Sequence, residues 1–209
     1  ALLGQAEMIA AGITCTADHY FEMDWVARAV EQAGTRANLG WAVFGHQGYG
    51  QLEETIRFVE RWQGKADGRI TTWLAPHSPY LCDPDFLARC AREAARLGVG
   101  NHIHAAETAG QVALSLERYG KTPVQVLADA GILEQPVILA HCLYPSDDDL
   151  DLLAGREAGI AQAPKTYLAM AMGLADLPKY LEKGIALGLA TDGAVSSCTL
   201  DLFEQMRLT

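Results

Sequence analysis

The sequence predicts an α/β fold in which a parallel sheet closes as a TIM-like (β/α)8 barrel, and three observations lead there. Short apolar runs alternate with amphipathic helical stretches along the whole chain, and this alternation means a parallel sheet, either doubly wound or closed. No G-x-G-x-x-G or G-x-x-x-x-G-K-[ST] follows any of the runs, which removes local support for a nucleotide-binding sheet. His19, His46, His77, His102, His104, Glu107, His141, Gln162 and Asp192 all stand at or just after the C-terminal ends of apolar runs. A parallel barrel gathers its active residues at those ends, so the polar strand ends favour the barrel.

The strand candidates are GITCTADHY, RANLGWAVFG, RITTWLAPH, GNHIHAAE, PVILAHC, GIAQAP and GIALGLATDG. They are short and rich in Ile, Val, Leu and Ala, as strands buried on both faces are. The helices between them have legible starts. In CDPDFLARCAREAARLGVG, Asp83 is the expected N-cap, Pro84 takes the first helical position and Gly98 ends the helix. Phe86, Leu87, Cys90, Ala91, Ala94 and Leu97 then form one apolar stripe. Thr122 before Pro123, and Ser146 before Asp147 to Asp149, are two further caps. The acidic run suits the positive end of a helix dipole better than a metal site.

Composition narrows the function. The 209 residues suffice for one domain or a large part of one, so residues 1–209 are taken as a single unit. A formal net charge of -10 repels phosphate backbones and argues against a nucleic-acid partner. The five cysteines contain no C-x-x-C pair and read as free thiols of a reducing compartment. No signal peptide or membrane-length apolar run is visible, so no membrane partner is expected and a cytoplasmic location is. Both ends fall inside helical patterns without an initiator Met, as in an excised or partial chain.

The chemistry concentrates in GNHIHAAET. On a strand, His102 and His104 project to one face because side chains alternate. A neutral imidazole is a zinc or iron ligand, and a carboxylate three residues on is a ligand or a general base. Alone, the pattern fits a hydrogen-bonded core histidine equally well. The strand ends LAHC and LATDG add His141 and Asp192 from two further strands, converging on one mouth.

APHSPYLCDPDFL, IHAAET, AHC and TDGAVSSCTLDLFEQMR, in this order and spacing, resemble the amidohydrolase superfamily. The similar branch holds methylthioadenosine/S-adenosylhomocysteine deaminases, cytosine-type deaminases and triazine hydrolases. The resemblance implies a metal-dependent hydrolase barrel with about seven of its eight strands present, lacking the first strand and the terminal segments. It implies that His104 and Asp192 bind one divalent metal, zinc or iron. Glu107 matches the proton-shuttling glutamate and His141 the histidine that orients the attacking water. Asp192 also accepts that water's proton. His77 matches a substrate-contacting histidine, and its strand end offers no lysine for a two-metal bridge. Gln162 and Ser196 are the other expected substrate contacts. The implied reaction is hydrolytic deamination, or related C–N or C–Cl hydrolysis, of a small nitrogen heterocycle. Cyclic-amide hydrolysis by the same site is the alternative, and a catalytically incomplete barrel that only binds or assembles is another. Pairing into homo-oligomers is expected by analogy.

Departures from the pattern bear on these expectations. No H-x-H pair precedes residue 102, so two expected metal ligands are absent from this stretch. QAPKTY stands where many members read His-x-Pro-x-Ser-Asn, and Ser197 and Cys198 replace a common Asn-Asn. Elsewhere the plainer readings lead. Cys142 is expected to turn away from the pocket as an inert thiol, Lys165 to sit on the surface, Met170 and Met172 to pack, and Asp67-Gly68 to form a turn. His19 is assigned first to a solvent or structural role, and His46 to the pocket or to plain turn polarity.

Overall fold

The computed structural model describes the backbone of residues 1–209 and every side chain except that of Gln47. Seven strands form its one sheet: β1 Cys15–Tyr20, β2 Arg36–Val43, β3 Ile70–Pro76, β4 Asn101–Ala105, β5 Val137–His141, β6 Ala158–Gln162 and β7 Ala186–Leu189. Each expected strand is present. Sheet order equals chain order and every pairing is parallel, so each connection is a crossover carrying helix.

Closure is where the observed fold is coarser than the expectation. Among the described residues β7 does not pair with β1, and the sheet is open with those two strands as its edges. Exposure follows: residues along β1 and β7 are exposed or half-buried, whereas four of the five residues of β4 are buried. A strand loses water on both faces only when it has neighbours on both sides and helices above.

The main core lies between β3 to β6 and the helices outside them. Leu74, Ile103, Leu139 and Ile160 meet the helix Pro84–Leu97 and its neighbours. That helix is built as its sequence requires. The Asp83 carboxylate accepts the Phe86 N–H at 2.9 Å, and Gly98 closes the end in a left-handed conformation. Its apolar stripe faces inward, and burying Phe86 or Leu87 contributes about 2 kcal/mol each. Asp67-Gly68 forms the expected turn, both residues at positive φ.

The acidic run divides into different roles. Asp147 is exposed and pairs with Lys179, and Asp148 is exposed. Asp149 is fully buried. It accepts the Ser146 N–H at 2.9 Å, completing a capping box, and also accepts the Thr122 hydroxyl. One carboxylate therefore ties together two helix starts. Asp149→Ala should cost about 2–3 kcal/mol in a urea titration, from a lost cap and orphaned buried donors, while Asp148→Ala should stay within about 0.5 kcal/mol. Equal effects would disprove the double-cap role. Among the described residues no helix is long and apolar enough to cross a membrane.

Candidate active site

β4 starts at a crowded point. A Cβ on Gly100 would lie 2.3 Å from the Pro136 carbonyl oxygen and 2.8 Å from the Trp73 indole, so only glycine lets the chain pass. Four residues on, His104 is fixed twice by one acceptor. The His77 carbonyl takes the His104 backbone N–H at 3.0 Å and bonds its Nδ1 at 2.8 Å. A carbonyl only accepts, so Nδ1 carries the proton and Nε2 keeps the lone pair. This is the tautomer and the backing contact that a metal-binding imidazole needs.

Four imidazoles converge around it. His77 stacks on His104 at 4.6 Å between centroids, and His141 stacks on its other side at 5.5 Å. His19 lies 5.1 Å from His102 and 4.8 Å from His104, which puts both β4 histidines on the face that alternation assigns. Burial beside so many imidazoles disfavours the charged form of the four around His104. Burial, then the neighbouring His104 and His141, holds His77 down to about 4 and His102 down to about 3. His19 falls well below its ordinary value, by burial first and then by His102, His104 and His77. The same burial lowers His141, with Glu107 and Asp192 pulling the other way.

His19 is the residue that sequence reasoning undervalued. Both of its ring nitrogens are screened from solvent and have no hydrogen-bond partner among the described residues. His102 Nδ1 and His141 Nδ1 share that state. Buried polar atoms are nearly always partnered, so a cluster of orphans marks a place where a polar group belongs. The available signal was the position of His19 at a strand end, beside the other histidines. His46 lies apart from the cluster, exposed, with its ring 5.6 Å from Phe44.

Glu107 follows β4 directly. Gln111 donates to its Oε2 at 2.9 Å, which leaves Oε1 facing His141 Nε2 at 3.8 Å. The carboxylate is 20% exposed and the imidazole 7%, so the pair is nearly closed off from water. His141 reaches this point through an unusual backbone. Ala106, His141 and Cys142 all have positive φ, at 46°, 69° and 46°. A left-handed residue with a Cβ costs about 1–2 kcal/mol, and such strain gathers at functional sites. Cys142 itself is fully buried, and its burial pushes the thiol up to about 12, the inert state expected of it.

The other expected residues sit as follows. Asp192 is exposed at the end of β7, also left-handed at φ 58°, and accepts the Gly193 N–H at 2.6 Å. Its charge is felt at His141 and Tyr167 across the mouth. Gln162 is 1% exposed, and its amide donates to the His141 carbonyl. It also helps to wall a cavity with Pro164, Tyr167 and Leu177. Ser196 is half-buried in the short helix Ala194–Ser197, with no side-chain bond to the histidines among the described residues. Lys165 is not the free surface lysine expected: its Nζ meets Glu204 at 2.7 Å and Thr199 at 3.0 Å, pinning two helices together. Met172 packs as expected, while Met170 is 60% exposed.

For a metal ion, His104 Nε2 is a prepared donor and the Asp192 carboxylate an accessible one. Among the described residues, however, no three His, Cys, Asp or Glu side chains come together closely enough to hold an ion. The donor chemistry fits a divalent cation, and the donor number is short of a full shell.

Comparison with known proteins places the chain in a family. The amidohydrolase family matches residues 1–209. A 5-methylthioadenosine/S-adenosylhomocysteine deaminase of Pelotomaculum thermopropionicum is 44% identical over 204 residues, covering 96% of this chain and 47% of that protein. A 5'-deoxyadenosine deaminase of Methanosarcina acetivorans is 43% identical over 210 residues, covering 99% and 49%. Among solved structures, an adenosine deaminase from Xanthomonas campestris with bound zinc superposes with a TM-score of 0.89 at 28% identity, covering 99% of this chain and 48% of that one. The chain spans about half the length of the curated relatives it matches.

Proposed function

Because the chain belongs to the amidohydrolase family, we propose that it forms the catalytic part of a metal-dependent hydrolase that deaminates a small nitrogen heterocycle. The observation that carries this reading is the enclosed pair of Glu107 and His141, 3.8 Å apart beside the lone-pair nitrogen of His104. The named activities of the two relatives above, a 5-methylthioadenosine/S-adenosylhomocysteine deaminase and a 5'-deoxyadenosine deaminase, support the same class.

His104 and Asp192 would supply two donors to one divalent ion, zinc or iron, and the bound zinc of the similar structure favours zinc. The remaining donors are assigned to a His-x-His pair in the other half of the full-length protein, on a strand between β7 and β1 that would close the barrel. A bound divalent cation lowers the pKa of a water to about 7, so that a nucleophile is available near neutral pH. Asp192 accepts the proton as water is activated. His141 Nε2 holds the attacking oxygen and the charge that develops there. Glu107, steadied by Gln111, gives its proton to a ring nitrogen as the adjacent carbon is attacked; Asp192 then passes the water's proton to the departing amine, and Glu107 regains a proton from the added hydroxyl as ammonia leaves. His77 faces the substrate ring, with Gln162 and Ser196 in the surrounding wall. The five free cysteines suit a cytoplasmic setting.

The test is metal content and ammonia release by the full-length protein on a panel of aminated purines, pyrimidines and triazines. About one zinc or iron per chain with ammonia released supports the reading, and no release from any of them overturns it. His104→Ala should reduce bound metal at least tenfold by elemental analysis. Full retention would remove His104 from the shell.

A further inference from the structure

β5 does not end as an extended strand. His141 and Cys142 are successive left-handed residues, which lifts the Cys142 carbonyl out of the β5–β6 ladder and swings the His141 ring toward Glu107. Such a kink persists only where its surroundings hold every group in it. On the β4 side, the Cys142 N–H bonds the Ala105 carbonyl at 3.0 Å, and the Leu143 and Tyr144 N–H groups bond that of Ala106 at 3.0 and 2.9 Å. From β6, the Gln162 amide donates to the His141 carbonyl. One group is left: the Cys142 carbonyl, buried and turned away from the mouth.

Tyr180 receives it. This residue lies in the helix Leu177–Glu182, is 2% exposed, and donates its phenol to that carbonyl at 2.9 Å. It makes no other side-chain hydrogen bond among the described residues, and no other donor among them reaches the Cys142 carbonyl. Its own backbone carbonyl accepts the Ile185 N–H at 3.1 Å, which fixes the phenol against the loop into β7. We propose that Tyr180 is a positioning residue for His141, acting through the Cys142 carbonyl to hold the left-handed kink that presents the imidazole to Glu107. Nothing in the sequence pattern links a tyrosine 39 residues downstream to a strand-end histidine; the juxtaposition belongs to the fold.

The catalytic part of this proposal rests on the deaminase reading, so its test has two readouts. Tyr180→Phe keeps the ring and removes only the donor. In the full-length protein it should lower kcat about tenfold with KM within about twofold, as loss of placement at the reacting centre does. Independently of activity, the His141 imidazole 15N signals should move or broaden in the variant, while the other histidine signals hold. Unchanged kcat and unchanged His141 signals beside a lowered thermal midpoint would overturn the proposal and leave Tyr180 a packing residue. If the parent protein releases no ammonia from any heterocycle, the activity reading fails, and the His141 signals alone decide whether Tyr180 positions the ring.

Discussion

Glu107→Gln in the full-length protein should lower turnover about a thousandfold while bound metal and KM stay near the parent values, because general acid–base catalysis by one positioned group contributes about 10²–10⁴. The substitution preserves shape. A carboxamide oxygen can still accept from Gln111, which now meets Glu107 at 2.9 Å, so the side chain stays in place. What disappears is a group able to carry a proton between water and the heterocycle. Parallel measurement of metal content separates this from a damaged site. Turnover within a few-fold of the parent would mean that the proton travels by another route, and His141 would be the next residue to examine.

Gly100→Ala should have the largest effect on stability, lowering the unfolding free energy by about 3 kcal/mol, at the upper end for overpacking. The added methyl would fall 2.3 Å from a backbone carbonyl, that of Pro136, and 2.8 Å from the Trp73 ring. Neither neighbour is the free end of a flexible chain, so the strain passes to β4 and the two histidines it carries. Gly110→Ala is the matching control, since its Cβ would meet nothing closer than 3.9 Å. Inside the helix Ala109–Tyr119 it should be neutral or stabilise by up to about 1 kcal/mol. Denaturant midpoints for the two variants give the comparison, and equal midpoints would show that the sheet yields at Gly100.

The inner strands are legible because burial on both faces leaves a run such as VILAH almost free of polar residues, and the edge strands β1 and β7 because their short runs keep the strand–helix alternation. The helix starts at Asp83, Thr122 and Ser146 were legible because capping is a local, side-chain-encoded event. The convergence of His104, Glu107 and His141 followed from strand ends in a parallel sheet. Three things did not follow. The kink at His141 and Cys142 needs bonds from β4, β6 and a distant tyrosine, none of which is local to AHC. The bond from the Gln162 amide to the His141 carbonyl is a second role for a residue whose sequence position suggests only the pocket wall. His19 belongs to no motif, because its imidazole acquires its meaning only from the fold, which brings its ring within about 5 Å of those of His102 and His104. An open sheet rather than a closed one is likewise a property of which strands are present, not of any one strand's pattern.

The identity of sheet order and chain order has a kinetic consequence. Each strand's partner is the strand most recently made, so no pairing waits for a distant segment to arrive, and each loop closed spans only one helical crossover. Closing a longer loop costs more entropy before any contact is gained. As the chain leaves the ribosome, β2 can dock on β1 and β3 on β2 while the strands that carry His102, His104 and His141 are still being synthesised. The sheet is therefore assembled stepwise along the chain, and Gln162, Tyr180 and Asp192 arrive on a surface already laid down.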